Sequence, residues 1–142
     1  MAYQGFIEPS FEHLEEFIRA VFTSVAGEQT RLALWLIEEF DFSQFSAVRL
    51  GSNSPFGSSQ LAGFGYLMPI EHNAMDALVK VLTDEEQLDC NIMHLEIAVT
   101  GKVAIAAYDT FNCIFFNPPI TLDFLADLKQ QAIIDKYGLL KK

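Results

Sequence analysis

Residues 91–117 contain three short hydrophobic segments separated by two turn sequences, and this arrangement limits the possible folds more than any other part of the chain. Thr100-Gly101 suits a two-residue hairpin turn, and Asp109-Thr110, which lies between two aromatic residues, suits a second turn. Pairing about both turns predicts a three-stranded antiparallel meander over 91–117. Such a meander needs covering elements from elsewhere in the chain to bury its apolar face.

Alternation along the meander assigns its side chains to two faces. One predicted face is apolar, and its small alanines leave room for a helix; it carries Met93, Leu95, Ile97, Val99, Ala104, Ala106, Tyr108, Phe111, Cys113 and Phe115. Cys113 is therefore predicted to be a small buried hydrophobe. The opposite face is mixed in character and carries His94, Glu96, Ala98, Val103, Ile105, Ala107, Asn112, Ile114 and Phe116.

Helical periodicity predicts the covering elements. Apolar residues at spacings of three and four predict an amphipathic helix over 10–26. The stretch from Thr30 to Phe40 is apolar nearly all round, and its Leu, Ala and Glu residues favour a second, buried helix, with a buried strand as the alternative. The same reasoning predicts helices over 71–83 and 122–136, the latter capped by Thr121.

The fold class that follows is a single α+β domain over 1–142. Its antiparallel sheet, the meander 91–117, packs against an N-terminal helical pair and a C-terminal helix. The chain is long enough for one domain with a sizeable core, since 51% of its residues are hydrophobic and 13 are phenylalanine. This apolar content is compatible with a homodimer.

Three features predict a cytoplasmic protein. The longest uninterrupted apolar run, 32–37, is far shorter than the roughly 20 residues that cross a bilayer. The first residues lack the basic and apolar regions of a signal peptide. The 2 cysteines are too few for a disulfide framework.

The chain carries a net charge of −10, and the combined negative charge of two segments exceeds this total. Residues 1–41 and residues 71–96 each have a balance of −6. Nucleic acid and anionic membrane repel such a protein, whereas a basic protein attracts it. The expected partner is therefore a basic protein. The candidate partner-binding residues are the clustered carboxylates Glu12, Glu15, Glu16, Glu38, Glu39, Asp84, Glu85, Glu86 and Asp89. A solvated acidic surface that keeps the chain soluble is the alternative.

Residues 50–69 are rich in glycine and serine, but they match none of the glycine-rich motifs that carry chemistry. A P-loop needs a lysine after its second glycine, and Gly57 is followed by Ser58-Ser59. Gly63-Phe64-Gly65 lacks the third glycine of a dinucleotide fingerprint, and no serine has the flanking glycines of a nucleophile elbow. The segment therefore predicts a flexible connecting loop over 51–60.

The histidines and cysteines predict neither a metal nor a cofactor. His13 lies three residues before Glu16, which suits a surface pair on one helix face. Cys90, His94 and Cys113 do not provide four zinc ligands at a suitable spacing. His94 and Glu96 share the mixed face of the meander, where they would form an alternative ligand site as a general base and its orienting carboxylate. The favoured interpretation of this pair is a partly exposed strand surface.

The segment LEIAVTGKVAIAAYDTFNCIFFNPPITLDFLADLKQQAII resembles the C-terminal part of small bacterial immunity proteins. These are antidotes to polymorphic or contact-dependent growth-inhibition toxins. The shared pattern is two hydrophobic strands, a Tyr-Asp turn (here Tyr108-Asp109), a strand that ends in polar or proline residues, and a short capped helix. The resemblance implies a cytoplasmic toxin inhibitor and assigns no functional residue.

Two hypotheses follow. In the first, the chain is a non-enzymatic immunity or antitoxin protein that neutralises a basic toxin, such as a nuclease, through its acidic surface. In the second, it is a small-molecule-binding domain or an enzyme that uses the sheet face around His94 and Glu96. A continuous acidic patch would favour the first hypothesis, and a deep pocket in which a third polar group meets this pair would favour the second.

Overall fold

The computed structural model describes residues 3–57, 60–88 and 91–140. Within these ranges one antiparallel sheet contains eight strands in the order β3-β4-β2-β5-β6-β7-β1-β8. The strands are β1 (Gly5–Pro9), β2 (Thr30–Leu36), β3 (Val48–Leu50), β4 (Phe64–Pro69), β5 (Ile92–Val99), β6 (Lys102–Tyr108), β7 (Cys113–Phe116) and β8 (Ile134–Leu139). The helices are α1 (Leu14–Val25), α2 (Met75–Leu82), α3 (Glu85–Leu88) and α4 (Leu122–Gln130). The chain is therefore an α+β protein.

Because neighbouring strands are antiparallel, each strand begins at one of two ends of the sheet and finishes at the other. We call the end where β2 finishes and β5 begins the upper end, and the opposite end the lower end. β1, β3 and β6 also finish at the upper end, and β4, β7 and β8 begin there. Each of α1, α2 and α4 connects the two ends, so α1 starts at the upper end whereas α2 and α4 start at the lower end.

Helices cover one face of the sheet. The buried stripe of α1 lies against β5 and β6, where Phe17, Ile18, Val21 and Phe22 meet Leu95, Ile97, Ile105 and Ala107. The predicted helix over 10–26 is confirmed for α1, which follows a short 3₁₀ turn at Phe11–His13. The predicted helix over 71–83 is confirmed as α2. No helix among the described residues is long and apolar enough to cross a membrane.

The predicted N-terminal helical pair is wrong, because Thr30–Leu36 is a central strand rather than a helix. β2 lies between β4 and β5, so both of its edges are paired. Both of its faces are covered as well, since Leu32, Leu34 and Leu36 lie in the main core while Ala33 and Trp35 pack with Leu61 on the opposite side. Its side chains are buried on both sides as a result, and a strand buried on both faces is as apolar all round as a buried helix. Sheet pairing with distant strands thus overrides the local preference of Leu and Ala for helix.

The meander over 91–117 is confirmed, but the predicted division of its side chains between two faces is wrong. Val99 pairs with Lys102 across the Thr100-Gly101 turn, as expected. A register shift then occurs between Ile97 and Ala98, so that Ile97 pairs with Ile105. One extra residue in β6 turns the rest of that strand over. Ile105 and Ala107 therefore face α1, while Tyr108 shares a face with Glu96.

Two further strands come from the chain ends, where no strand was predicted. Thr121 caps α4 through its hydroxyl, as predicted, but the helix ends at Gln130 rather than at 136. The following residues form β8, which pairs with β1. Cys113 was predicted to be buried and is exposed, because β7 directs it away from the helices.

Candidate functional site

A buried hydrogen-bonded chain of polar side chains lies on the face of the sheet opposite α1. Glu96 is at its centre in the middle of β5, and its side chain is 1% exposed. Within the described ranges no Lys, Arg or His nitrogen lies within 4.0 Å of this carboxylate. Hydroxyl groups therefore supply its stabilising contacts.

Ser54 provides the first hydroxyl, and it comes from the segment that was predicted to be a flexible loop. Its Oγ donates to Glu96 Oε1 at 2.5 Å and accepts from the amide of Phe56 at 3.1 Å. Trp35 is fully buried nearby, and its Nε1 donates to the carbonyl of Gly51 at 3.2 Å. The loop is therefore packed against the sheet, and the expectation of a merely flexible connection is wrong for residues 51–57. Ser58 and Ser59 lie outside the described residues.

Tyr108 provides the second hydroxyl. Its Oη donates to Glu96 Oε2 at 2.6 Å, so its one proton is already used. Tyr3 Oη lies 3.1 Å from Tyr108 Oη, and Tyr3 must be the donor in that contact because Tyr108 has no second proton. Burial raises the pKa of Tyr108 above the usual range for tyrosine, and its hydrogen bond to the Glu96 carboxylate raises it further. Burial likewise raises the pKa of Tyr3.

His94 lies two residues before Glu96 and is 9% exposed, so the interpretation of this pair as a partly exposed surface is wrong. Its Nδ1 accepts from the backbone amide of Asp109 at 3.3 Å. Burial lowers the pKa of His94, while the charges of Asp109 and Glu96 oppose that shift. The hydrogen bonds of His94 and Glu96 thus go to different partners. The arrangement is a row of satisfied polar groups in which the imidazole and the carboxylate do not orient each other.

The predicted partner-binding carboxylates that the structure describes are all exposed and all lie at the upper end. Glu12, Glu15 and Glu16 lie in the 3₁₀ turn and the first turn of α1, and Glu16 is 3.7 Å from His13 as the predicted surface pair. The others follow the end of β2 or precede the start of β5; they are Glu38, Glu39, Asp84, Glu85 and Glu86. Asp89 lies outside the described residues.

Two of these acidic clusters border one groove, although their nearest lining residues, Glu39 and Glu86, are 47 positions apart in the chain. The groove measures about 400 Å³ and is lined by Ile37, Glu38, Glu39, Phe40, Glu86, Gln87 and Asn91. Ile37 is 51% exposed among the carboxylates. The structure therefore places an apolar side chain inside an acidic rim.

Asn91 holds this groove in shape. Its Oδ1 accepts from the amide of Glu38 at 2.7 Å, and its carbonyl accepts from the amide of Ile37 at 2.9 Å. Its Nδ2 donates to Gln87 at 2.8 Å. One side chain thus joins the end of β2 to α3. No sequence pattern indicates that Asn91 joins these two elements. Likewise, nothing in the serine-rich loop distinguishes Ser54 as the residue that contacts Glu96.

A second groove of about 410 Å³ continues from the first, since Glu39 and Phe40 line both. It contains Arg49, whose guanidinium lies over the rings of Tyr66 and Phe64 at 5.0 and 5.5 Å. Arg49 is also 3.5 Å from Glu39. Arg49 offsets part of the acidic charge on the Glu39 side of the two grooves.

Among the described residues, no three His, Cys, Asp or Glu side chains are grouped closely enough to hold a metal ion. Comparisons of this chain with protein-family models, with curated proteins and with solved structures find no match.

Proposed function

We propose that this chain is a binding protein that docks a basic protein partner on the upper end of its sheet, and that it acts as an immunity protein neutralising a basic toxin. The observation that carries the proposal is the meeting of separate acidic clusters at that end. The clusters are distant in sequence, and only the antiparallel topology brings them to one side of the molecule.

The groove around Ile37 has the composition expected of a docking site for such a partner. An exposed apolar side chain can be buried on binding, while the surrounding carboxylates guide a basic protein toward it. The hydrogen bonds of Asn91 hold the groove before any partner arrives. Preorganisation of this kind lowers the entropic cost of association.

A toxin that acts on nucleic acid needs a positive surface to hold its substrate, so a nuclease is a partner whose charge complements the upper end. An acidic inhibitor that covers such a surface would compete with nucleic acid. The buried chain around Glu96 supports the competing enzyme hypothesis less well, because both carboxylate oxygens already accept hydrogen bonds from Ser54 and Tyr108.

The first experiment identifies the partner by affinity capture with the purified chain and then assays its activity with and without the chain. We expect a basic protein whose activity falls when the chain is added at equal concentration. A captured protein that is acidic, or whose activity is unchanged by the chain, would contradict the proposal.

The second experiment locates the surface by association kinetics at several salt concentrations. The variant carries Glu38→Gln, Glu39→Gln and Glu86→Gln. The matched control removes three exposed charges near the lower end, with Glu28→Gln, Glu71→Gln and Asp123→Asn. We expect the upper-end variant to associate about tenfold more slowly at low salt and to lose most of its salt dependence, since steering by charge acts mainly on the association rate. Equal effects of the two variants would place the binding surface elsewhere.

A further inference from the structure

His94 lies directly beneath the turn that joins β6 to β7. The backbone amide of Asp109 donates to its Nδ1 at 3.3 Å. A neutral imidazole can accept at Nδ1 only when its proton is on Nε2, and an imidazolium cannot accept at either nitrogen. This contact therefore exists in one protonation state of His94 only.

The turn above His94 is held in a backbone conformation that its residues disfavour. Asp109, Thr110 and Phe111 have φ angles of 54°, 55° and 69°. Residues other than glycine rarely adopt this left-handed region, and three in succession are costlier than one. Contacts of the turn with its surroundings must offset that cost.

Three contacts do so. Phe111 is buried in the core. The amide of Thr110 donates to the carbonyl of Met93 at 2.9 Å, and the amide of Asp109 donates to His94. The contact with His94 is the one that a proton can remove.

We propose that His94 is a pH-sensitive switch for the β6–β7 turn. Protonation of Nδ1 places an N–H group against the amide of Asp109, so the hydrogen bond is replaced by a contact between two donors. Asp109 and Thr110 then leave their left-handed conformation, while Phe111 stays in the core and the rest of the sheet stays folded.

The groups around the imidazole set the pH at which this happens. The carboxylates of Asp109 on the turn and of Glu96 on β5 favour the imidazolium, whereas burial disfavours it and has the larger effect, so the pKa of His94 is lowered. The ring of Tyr108 meets the imidazole edge-on with centroids 5.8 Å apart, and the cross-strand neighbour on β2 is Trp35. Neither adds a charge near neutral pH.

The direction of the effect follows from this lowered pKa. The open turn exposes His94, which then titrates near its usual value of about 6.5. The closed turn binds its proton at lower pH, so acidification favours the open turn below about 6.5. Asp109 is exposed at the upper end, so opening would also change the surface proposed for partner binding. That consequence rests on the proposed function, whereas the switch is a property of the free protein.

The test is a titration of the isolated, isotope-labelled chain from pH 8 to pH 5, followed by NMR. We expect the amide signals of Asp109 and Thr110 to shift with the same midpoint as the imidazole of His94. At pH values between the pKa of His94 in the closed form and that in the open form, each unit of acidification should increase the population of the open turn about tenfold. Hydrogen exchange of the Thr110 amide should therefore accelerate by the same factor relative to its intrinsic rate. Signals from α1 should stay in place.

The variant His94→Asn keeps an oxygen acceptor for the Asp109 amide but cannot be protonated, so the turn signals should no longer respond to pH. His72→Asn removes an exposed histidine and should leave the response intact. Turn signals that still move in His94→Asn, or that stay fixed while His94 titrates in the unmodified chain, would overturn the proposal. The nitrogen shifts of His94 at pH 8 give a check that needs no variant, since a proton on Nδ1 would also overturn it.

Discussion

Ser54 and Glu96 are 42 positions apart in the chain, yet the hydroxyl of one donates to the carboxylate of the other at 2.5 Å in the buried part of the protein. This contact attaches the segment 51–57 to the central strand β5. It also explains how a carboxylate that is 1% exposed is stabilised without a basic partner among the described residues.

Removing that hydroxyl should be costly. We expect Ser54→Ala to lower the free energy of unfolding by about 1.5–3 kcal/mol, because a buried hydrogen bond to a charged group is lost and the acceptor stays buried. Urea denaturation measures the difference. Ser52→Ala is the control, since Ser52 is exposed in the same loop, and it should cost less than about 0.5 kcal/mol. Equal losses for the two variants would mean that the contact with Glu96 contributes nothing.

Tyr108 should make the protein sensitive to alkaline pH. Its pKa is raised by burial and by its hydrogen bond to Glu96, so the folded chain keeps the phenolic proton at a pH where the unfolded chain loses it. Stability should therefore be retained below pH 10 and decrease as the pH rises above about 10. Urea denaturation at pH 8 and pH 11 measures this decrease.

The variant Tyr108→Phe should lower stability at pH 8 and reduce the further loss at pH 11. Tyr137→Phe is the matched control, since Tyr137 lies on β8 outside the chain of hydroxyls. An alkaline loss that is the same in Tyr108→Phe as in the unmodified chain would show that this phenol is not its source.

Two glycines that flank the 51–63 loop should respond differently to alanine. Gly63 has a φ of 110°, and a Cβ there would lie 2.5 Å from the carbonyl oxygen of Leu36. We expect Gly63→Ala to destabilise the protein by about 2 kcal/mol or more. A Cβ at Gly51 would meet nothing within 4 Å, so Gly51→Ala should change stability by less than about 1 kcal/mol. Thermal unfolding of both variants checks the contrast, and a larger loss for Gly51→Ala would contradict it.

Cys113 should react as a surface thiol. It is exposed on β7, so an aromatic disulfide reagent should modify it in the native protein within minutes. The measurement uses a Cys90→Ser background, in which Cys113 is the remaining cysteine. Modification only after denaturant is added would indicate that β7 presents Cys113 to the core, which is the register that simple alternation predicts.

Features that depend on neighbouring residues could be predicted from the sequence. The stripe of α1 follows from apolar spacing, the cap of α4 from a threonine before a helical pattern, and the meander from two turn sequences. Each depends on hydrogen bonds or burial within a few residues, which the local order of side chains specifies.

Features that depend on distant partners could not be predicted. Thr30–Leu36 is a strand because β4 and β5 pair with it on both edges, and a pattern that is apolar all round does not distinguish that setting from a buried helix. Strict alternation also failed after the register shift between Ile97 and Ala98. The one extra residue there reverses the faces of the remainder of β6 and of β7, which pairs with it, and Cys113 is exposed as a result.

The candidate sites divide in the same way. The acidic residues and their clustering are properties of the sequence, since charge is carried by each side chain wherever it lies. Their meeting at the upper end, and the burial of Glu96 beneath Ser54, arise only when strands far apart in the chain pair. Non-local strand pairing determines which side chains share a surface and which are buried. The local sequence does not predict this pairing, because the contacting residues are tens of positions apart.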